Sequence, residues 1–120
     1  MGKLLSRNDI LSAPDIKTEL LPVPEWGGDV LVRTLSGTER DAWEATLVEQ
    51  KKGGTHFKLE NVRAKLVALT LVDDDGQRIF SEADVVQLGD KSAAALSRVY
   101  NRAAEMSGVT EKDAEELAKN

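Results

Sequence analysis

The chain has 120 residues, with 16 Lys and Arg against 21 Asp and Glu and a formal net charge of -5. That length is about one domain around one core, and the cations are scattered along an acidic chain, which argues against nucleic acid as a partner. There is no cysteine, which removes disulfides and thiolate chemistry and fits a reducing compartment. The sequence has neither a secretory signal nor a run approaching the ~20 apolar residues that cross a bilayer, so a cytosolic protein with no membrane partner is expected.

The first residues, MGKLLS, match a myristoylation pattern, with Gly2 and Ser6 in the required places. A single acyl chain holds a protein only marginally at a membrane, and Lys3 and Arg7 are the only cations nearby. The reading taken is an ordinary start followed by a small residue. Ser6 as N-cap, Asp9 three residues on and Pro14 as a stop predict a short helical turn from Arg7 to Ser12.

The stretch LPVPEWGGDVLVRTLSG predicts an antiparallel hairpin over about residues 18–35, with strands Thr18 to Glu25 and Val30 to Leu35. Pairing about Gly27 and Gly28 sets Glu25 opposite Val30, Val23 opposite Val32 and Leu21 opposite Thr34. One face is then apolar through Val23, Val30 and Val32, while Leu20, Leu31, Leu35 and Trp26 fall on the other. Pro22 and Pro24 share one parity, so the donors they lack all point toward one edge, which therefore cannot accept a full partner strand. A four-residue loop, WGGD, suits these prolines better than a two-residue turn.

Helices are expected over about residues 39–51, 57–71, 82–88, 91–106 and 111–119. Thr38 with Asp41 caps the first, Trp43 and Leu47 share one of its faces, and Gly53 and Gly54 end it. Leu59, Val62, Leu66 and Leu69 mark the second as the central core helix, with Val67 and Leu71 widening its stripe. Ser81 caps the third after a short extended link through Ile79 and Phe80. Leu96, Val99, Tyr100 and Ala103 give the fourth the clearest period, with Gly108 just past its end. The expected fold class is α+β, mostly α, with an N-terminal antiparallel hairpin packed on a small helical bundle in one domain.

Residue types that carry chemistry are sparse. His56 is the sole histidine and lies among linker residues, so no His-based triad is expected. Carboxylates fall at caps and on helix surfaces. LVDDDGQRIFSE resembles a calcium loop at Asp73, Asp75, Gly76 and Glu82, but its first ligand position is Leu71. A hydrated acidic turn explains the same residues. The glycine pairs fit neither a phosphate loop nor a dinucleotide fingerprint. No enzyme activity, metal or cofactor is expected.

Two longer stretches, DIKTELLPVPEWGGDVLVRTLSGTERDAWE and NVRAKLVALTLVDDDGQRIFSEADVVQLGDKSAAALSRV, resemble the tail assembly chaperones of long-tailed bacteriophages and prophages. The resemblance runs from about Ile10 to the end of the chain and rests on the order and spacing of the VPEWGG hairpin, the LSGTERDAWE helix start, the DDDG turn and the LGDKSAAAL junction. It implies binding to the tape measure protein, which is kept soluble while tail tube subunits polymerise around it. The chaperone would act in the host bacterial cytoplasm and be absent from the mature virion. Partners implied are the tape measure protein and the tail tube protein, with self-association as a further expectation. The candidate partner-binding residues are Val23, Trp26, Val30 and Val32. The resemblance also implies a longer frameshifted product, and Ala118, Lys119 and Asn120 permit a slippery heptamer without requiring one. Two other readings stand beside it: a minor structural virion protein for connection or tail completion, and a generic bacterial interaction module.

Overall fold

The computed structural model describes residues 2–51, 54–57 and 59–109. The expected terminal helix over residues 111–119 lies outside them. The first helix, α1 (Arg7–Ser12), forms where the sequence places it, because Ser6 and Asp9 make a reciprocal capping box: the Ser6 hydroxyl accepts from the Asp9 N–H and the Asp9 carboxylate accepts from the Ser6 N–H. None of its residues is buried.

The hairpin follows as β1 (Thr18–Val23) and β2 (Gly28–Arg33). Its register corrects the expectation. Val23 pairs with Gly28, Leu21 with Val30 and Glu19 with Val32, so the closing loop is Pro24 to Gly27 and not WGGD. Pro24 has no N–H to give to the ladder and starts a single 3-10 turn, Pro24–Trp26, which Gly27 ends at φ +75°. The slip from the expected pairing is an even number of residues, so Val23, Val30 and Val32 still share one face. Trp26 belongs to the turn, and strand parity does not govern where it points.

A third strand, β5, was not expected. The helix α3 (Val62–Thr70) ends at Thr70, and Leu71–Val72 turns extended to pair with β2 as Leu71 with Val32 and Val72 with Leu31. The sheet order is therefore β1-β2-β5, with β1 at one edge. The Thr34 N–H donates to the Lys17 carbonyl at 2.9 Å, so alternation along the ladder puts Pro22 at a non-hydrogen-bonded position, its missing donor facing the open edge.

The helix α2 is Gly37–Thr46, shorter than expected and capped two residues earlier. Ser36 outcompetes Thr38 because its third position is Glu39, whose longer side chain reaches back to the Ser36 N–H at 2.9 Å. The residues expected to finish this helix instead form β3 (Val48–Lys51), which pairs in a second hairpin with β4 (Gly54–Phe57), a stretch expected as linker. Gly54, read as a helix stop, takes φ +130° at the start of β4, a conformation other residues rarely adopt.

The helix α3 is Val62–Thr70 and begins later than expected, because Asn61 sits in the left-handed region at φ 59° and so cannot lie within a helix. Leu59, expected on its buried stripe, is 49% exposed. A 3-10 turn, Glu82–Asp84, leads into α4 (Val85–Gly89), and α5 (Ala93–Met106) closes the described fold. Gly108, at φ +76°, completes a Schellman end: its N–H donates to the Glu105 carbonyl and the Val109 N–H to the Ala104 carbonyl.

The core lies between the sheet and the α3–α5 pair. Val23 and Val32 from the hairpin, Trp43 and Leu47 from α2, Leu66 and Val67 from α3, and Ala95, Val99 and Ala103 from α5 form one buried cluster. The fold class is thus a mostly helical α+β arrangement with an antiparallel sheet on its N-terminal side.

Candidate interaction surface

The four residues singled out in the sequence are brought together, but chiefly as packing. Val23 and Val32 are fully buried in the core cluster, and Val30 and Trp26 are half-buried against it. The valines fix the hairpin to the helices, so a partner can reach Val23 or Val32 only if the hairpin lifts away. The Trp26 indole N–H is shielded from solvent and has no acceptor among the described residues.

Two bidentate ion pairs strengthen the hairpin's seat on α5. Arg102 donates to both carboxylate oxygens of Glu19, and Arg98 to both of Glu25. The two arginines are four apart on one helix face and meet carboxylates at opposite ends of β1 and its turn. Hydrogen bonding from Arg102 lowers the Glu19 pKa, and hydrogen bonding from Arg98 lowers that of Glu25.

A third electrostatic centre lies at the start of α2. Glu39 accepts from Arg33 of β2, from Arg78 and from the Ser36 N–H. Burial raises its pKa, but the Ser36 backbone, Arg78, Arg33 and the Ser36 hydroxyl together outweigh that and hold it at about 2. Glu39 therefore ties the sheet, α2 and the segment after β5 together.

The exposed apolar surface lies elsewhere. Two hollows flank the Phe80–Gly89 segment. One, of about 510 Å³, has Trp43, Ala68, Leu69, Phe80, Val85 and Val86 in its lining, together with the charged Glu60, Lys65, Arg78 and Glu82. The other, of about 690 Å³, is lined by Trp26, Ile79, Phe80 and Leu88 among others. Val86 is 66% exposed. The N-terminal segment adds a second apolar region, with Leu4 95% and Leu11 67% exposed. The sequence reading overlooked both regions because it looked for apolar faces on long periodic elements. The available signals were short: the pairs Leu4-Leu5 and Ile10-Leu11 beside a helix too brief to bury them, and Val85-Val86 placed side by side.

The acidic turn is structural. The Asp73 carboxylate accepts from the Asp75 and Gln77 N–H groups at 2.9 and 3.0 Å, with Gly76 at φ +80°. Among the described residues no group of three His, Cys, Asp or Glu side chains converges as a metal site. His56 lies on β4, opposite Glu49 of β3. No helix among the described residues is long and apolar enough to cross a membrane.

The class defined by this arrangement is a small α+β protein, mostly α, with apolar hollows beside a short helix and an exposed apolar N-terminal segment. The chain belongs to the phage tail assembly chaperone family, whose profile matches residues 7–120. It shares its fold with the solved structure of the bacteriophage HK97 tail assembly chaperone, at a TM-score of 0.61 and 21% sequence identity, covering 87% of this chain and 95% of that one. No curated protein sequence gives a significant match.

Proposed function

We propose that this chain acts as a tail assembly chaperone that binds the tape measure protein and keeps it soluble while tail tube subunits polymerise around it. It acts in the host cytoplasm, through contact and not catalysis, and leaves before the virion is complete. The observation that carries this reading is the family match over residues 7–120. The open apolar hollows support it, because a long helical client exposes apolar stripes that need temporary cover, and an acidic body keeps such a complex dissolved.

Co-expression tests it. The tape measure protein should move from the insoluble to the soluble fraction when this chain is present at equal levels, and should stay insoluble if the reading is wrong. Mass spectrometry of purified particles separates the chaperone from a structural virion component, which would be retained. Sequencing the gene around codons 118–120 tests the longer frameshifted product: a slippery heptamer with an overlapping downstream frame is expected.

A further inference from the structure

We propose that a small aliphatic monocarboxylate binds in a hollow between the start of α3 and the junction of α4 with α5. The proposal goes beyond the tape-measure reading and does not rest on it. The hollow has a volume of about 200 Å³ and is distinct from the two beside Phe80. A close approach builds it. A Cβ at Gly89 would lie 2.3 Å from the Asn61 side-chain oxygen, so the glycine lets the end of α4 come up against the left-handed Asn61 that opens α3.

Its charged lining is Arg63 and Lys91, and no carboxylate joins them. In a chain of net charge -5 that is a local reversal of sign, since each hollow beside Phe80 includes carboxylates. Glu60, next to Asn61 in the chain, lines the hollow of about 510 Å³ instead. Neither cation has an ion-pair partner among the described residues. The other polar side chains of the lining, Asn61 and Ser97, likewise have no hydrogen-bond partner among them. The Arg63 guanidinium lies 5.7 Å from the Tyr100 ring centroid, a cation–π contact that orients the side chain while its N–H fork stays available to an oxyanion.

The rest of the lining selects the ligand. Leu59, Val62, Ala64 and Leu96 give aliphatic walls, with Ala64 and Leu96 buried and the two cations exposed. A hydrocarbon tail is covered by these walls while its carboxylate takes charge-assisted hydrogen bonds from Arg63 and Lys91. One negative charge suits the hollow better than the two of a phosphate, because the acidic remainder of the chain repels an anion in proportion to its charge. The volume lies below the roughly 300 Å³ at which pockets for drug-sized ligands begin, so a short tail fills it. A peptide chain end fits less well, since it brings amide N–H groups to a site whose charged groups are themselves donors.

Titration of the whole chain with hexanoate, followed by amide NMR, tests this. Hexanoate should shift the signals of Asn61 to Ala64 and of Gly89 to Ser97 and saturate in the millimolar range, as expected for a ligand of so few heavy atoms. Hexanamide, similar in shape but neutral, should bind about tenfold more weakly or worse. Arg63→Gln and Lys91→Gln should each weaken hexanoate by about tenfold, the loss of one charge-assisted hydrogen bond, whereas Lys3→Gln, outside the hollow, should leave it unchanged. Ala93 is exposed at the first position of α5 and lines the hollow, where a carboxylate is compatible with the helix. Ala93→Glu should therefore abolish binding and leave the denaturation midpoint unchanged. The proposal is overturned by any of these results: no shifts with hexanoate, equal binding of hexanamide, shifts centred on the hollows beside Phe80, or tighter binding of inorganic phosphate. Tighter binding of an acetylated peptide ending in leucine also overturns it, by assigning the hollow to a chain end.

Discussion

At the residue scale, the ends of helices depend on single positions. Gly108 has open space where a Cβ would go, yet its φ of +76° disfavours any other residue. Gly108→Ala should therefore destabilise the fold by about 1 to 2 kcal/mol through backbone conformation alone, measured as a shift of the urea midpoint with an unchanged slope. Glu39 gives a pH-dependent counterpart. Its folded pKa of about 2 lies below the ordinary 4.5, so the stability it contributes is full above pH 4.5 and is lost as pH falls toward 2. Glu39→Gln should cost about 1.5 to 3 kcal/mol near neutral pH, the range for hydrogen bonds to a charged group. It should also flatten the decline of stability between those two pH values. Equal pH slopes for variant and wild type would show that Glu39 is not the group responsible.

At the element scale, burial outweighs the visible ion pairs. Leu66 is fully buried on α3, and Leu66→Ala should leave a cavity costing about 2 to 5 kcal/mol. Val32, also fully buried, ties β2 to the helices, and Val32→Ala should cost about 2 kcal/mol. The Glu19–Arg102 and Glu25–Arg98 pairs clasp the same hairpin from outside, but water and salt screen them. Arg102→Ala should shift the midpoint far less than Val32→Ala, and raising the salt concentration should shrink even that difference from wild type. A larger effect for Arg102 would mean that the hairpin is held by its rim and not by its core face.

At the scale of the whole molecule, the described fold divides into a packed body and an arm that contributes nothing to its core. None of residues 2–16 is buried. Deleting residues 2–13 should leave the stability of the body unchanged within about 0.5 kcal/mol, the scatter of surface changes. Urea denaturation followed by circular dichroism measures it. A large loss of stability would place the arm within the fold.

The sequence alone determined the features that need only neighbours. The Ser6 box, the left-handed Gly108, the α5 stripe and the apolar parity of Val23, Val30 and Val32 follow from spacings of a few residues, and an even register slip leaves that parity intact. The resemblance to tail assembly chaperones was legible for a similar reason, since it rests on the order of short motifs. Competition between distant partners decided the rest. Leu71 continues a helical stripe in the sequence, yet it pairs as a strand because β2 has an open edge to offer. Val48 to Lys51 leave α2 because Gly54 to Phe57 can pair with them. Glu39 selects Ser36 as the cap with help from Arg78, which lies 39 residues away. The hollow beside α4 exists only where Trp43, Leu69, Phe80 and Val85 meet from separate elements, so its lining has no period in the chain. A surface defined by where packing stops becomes visible only once the packing is known.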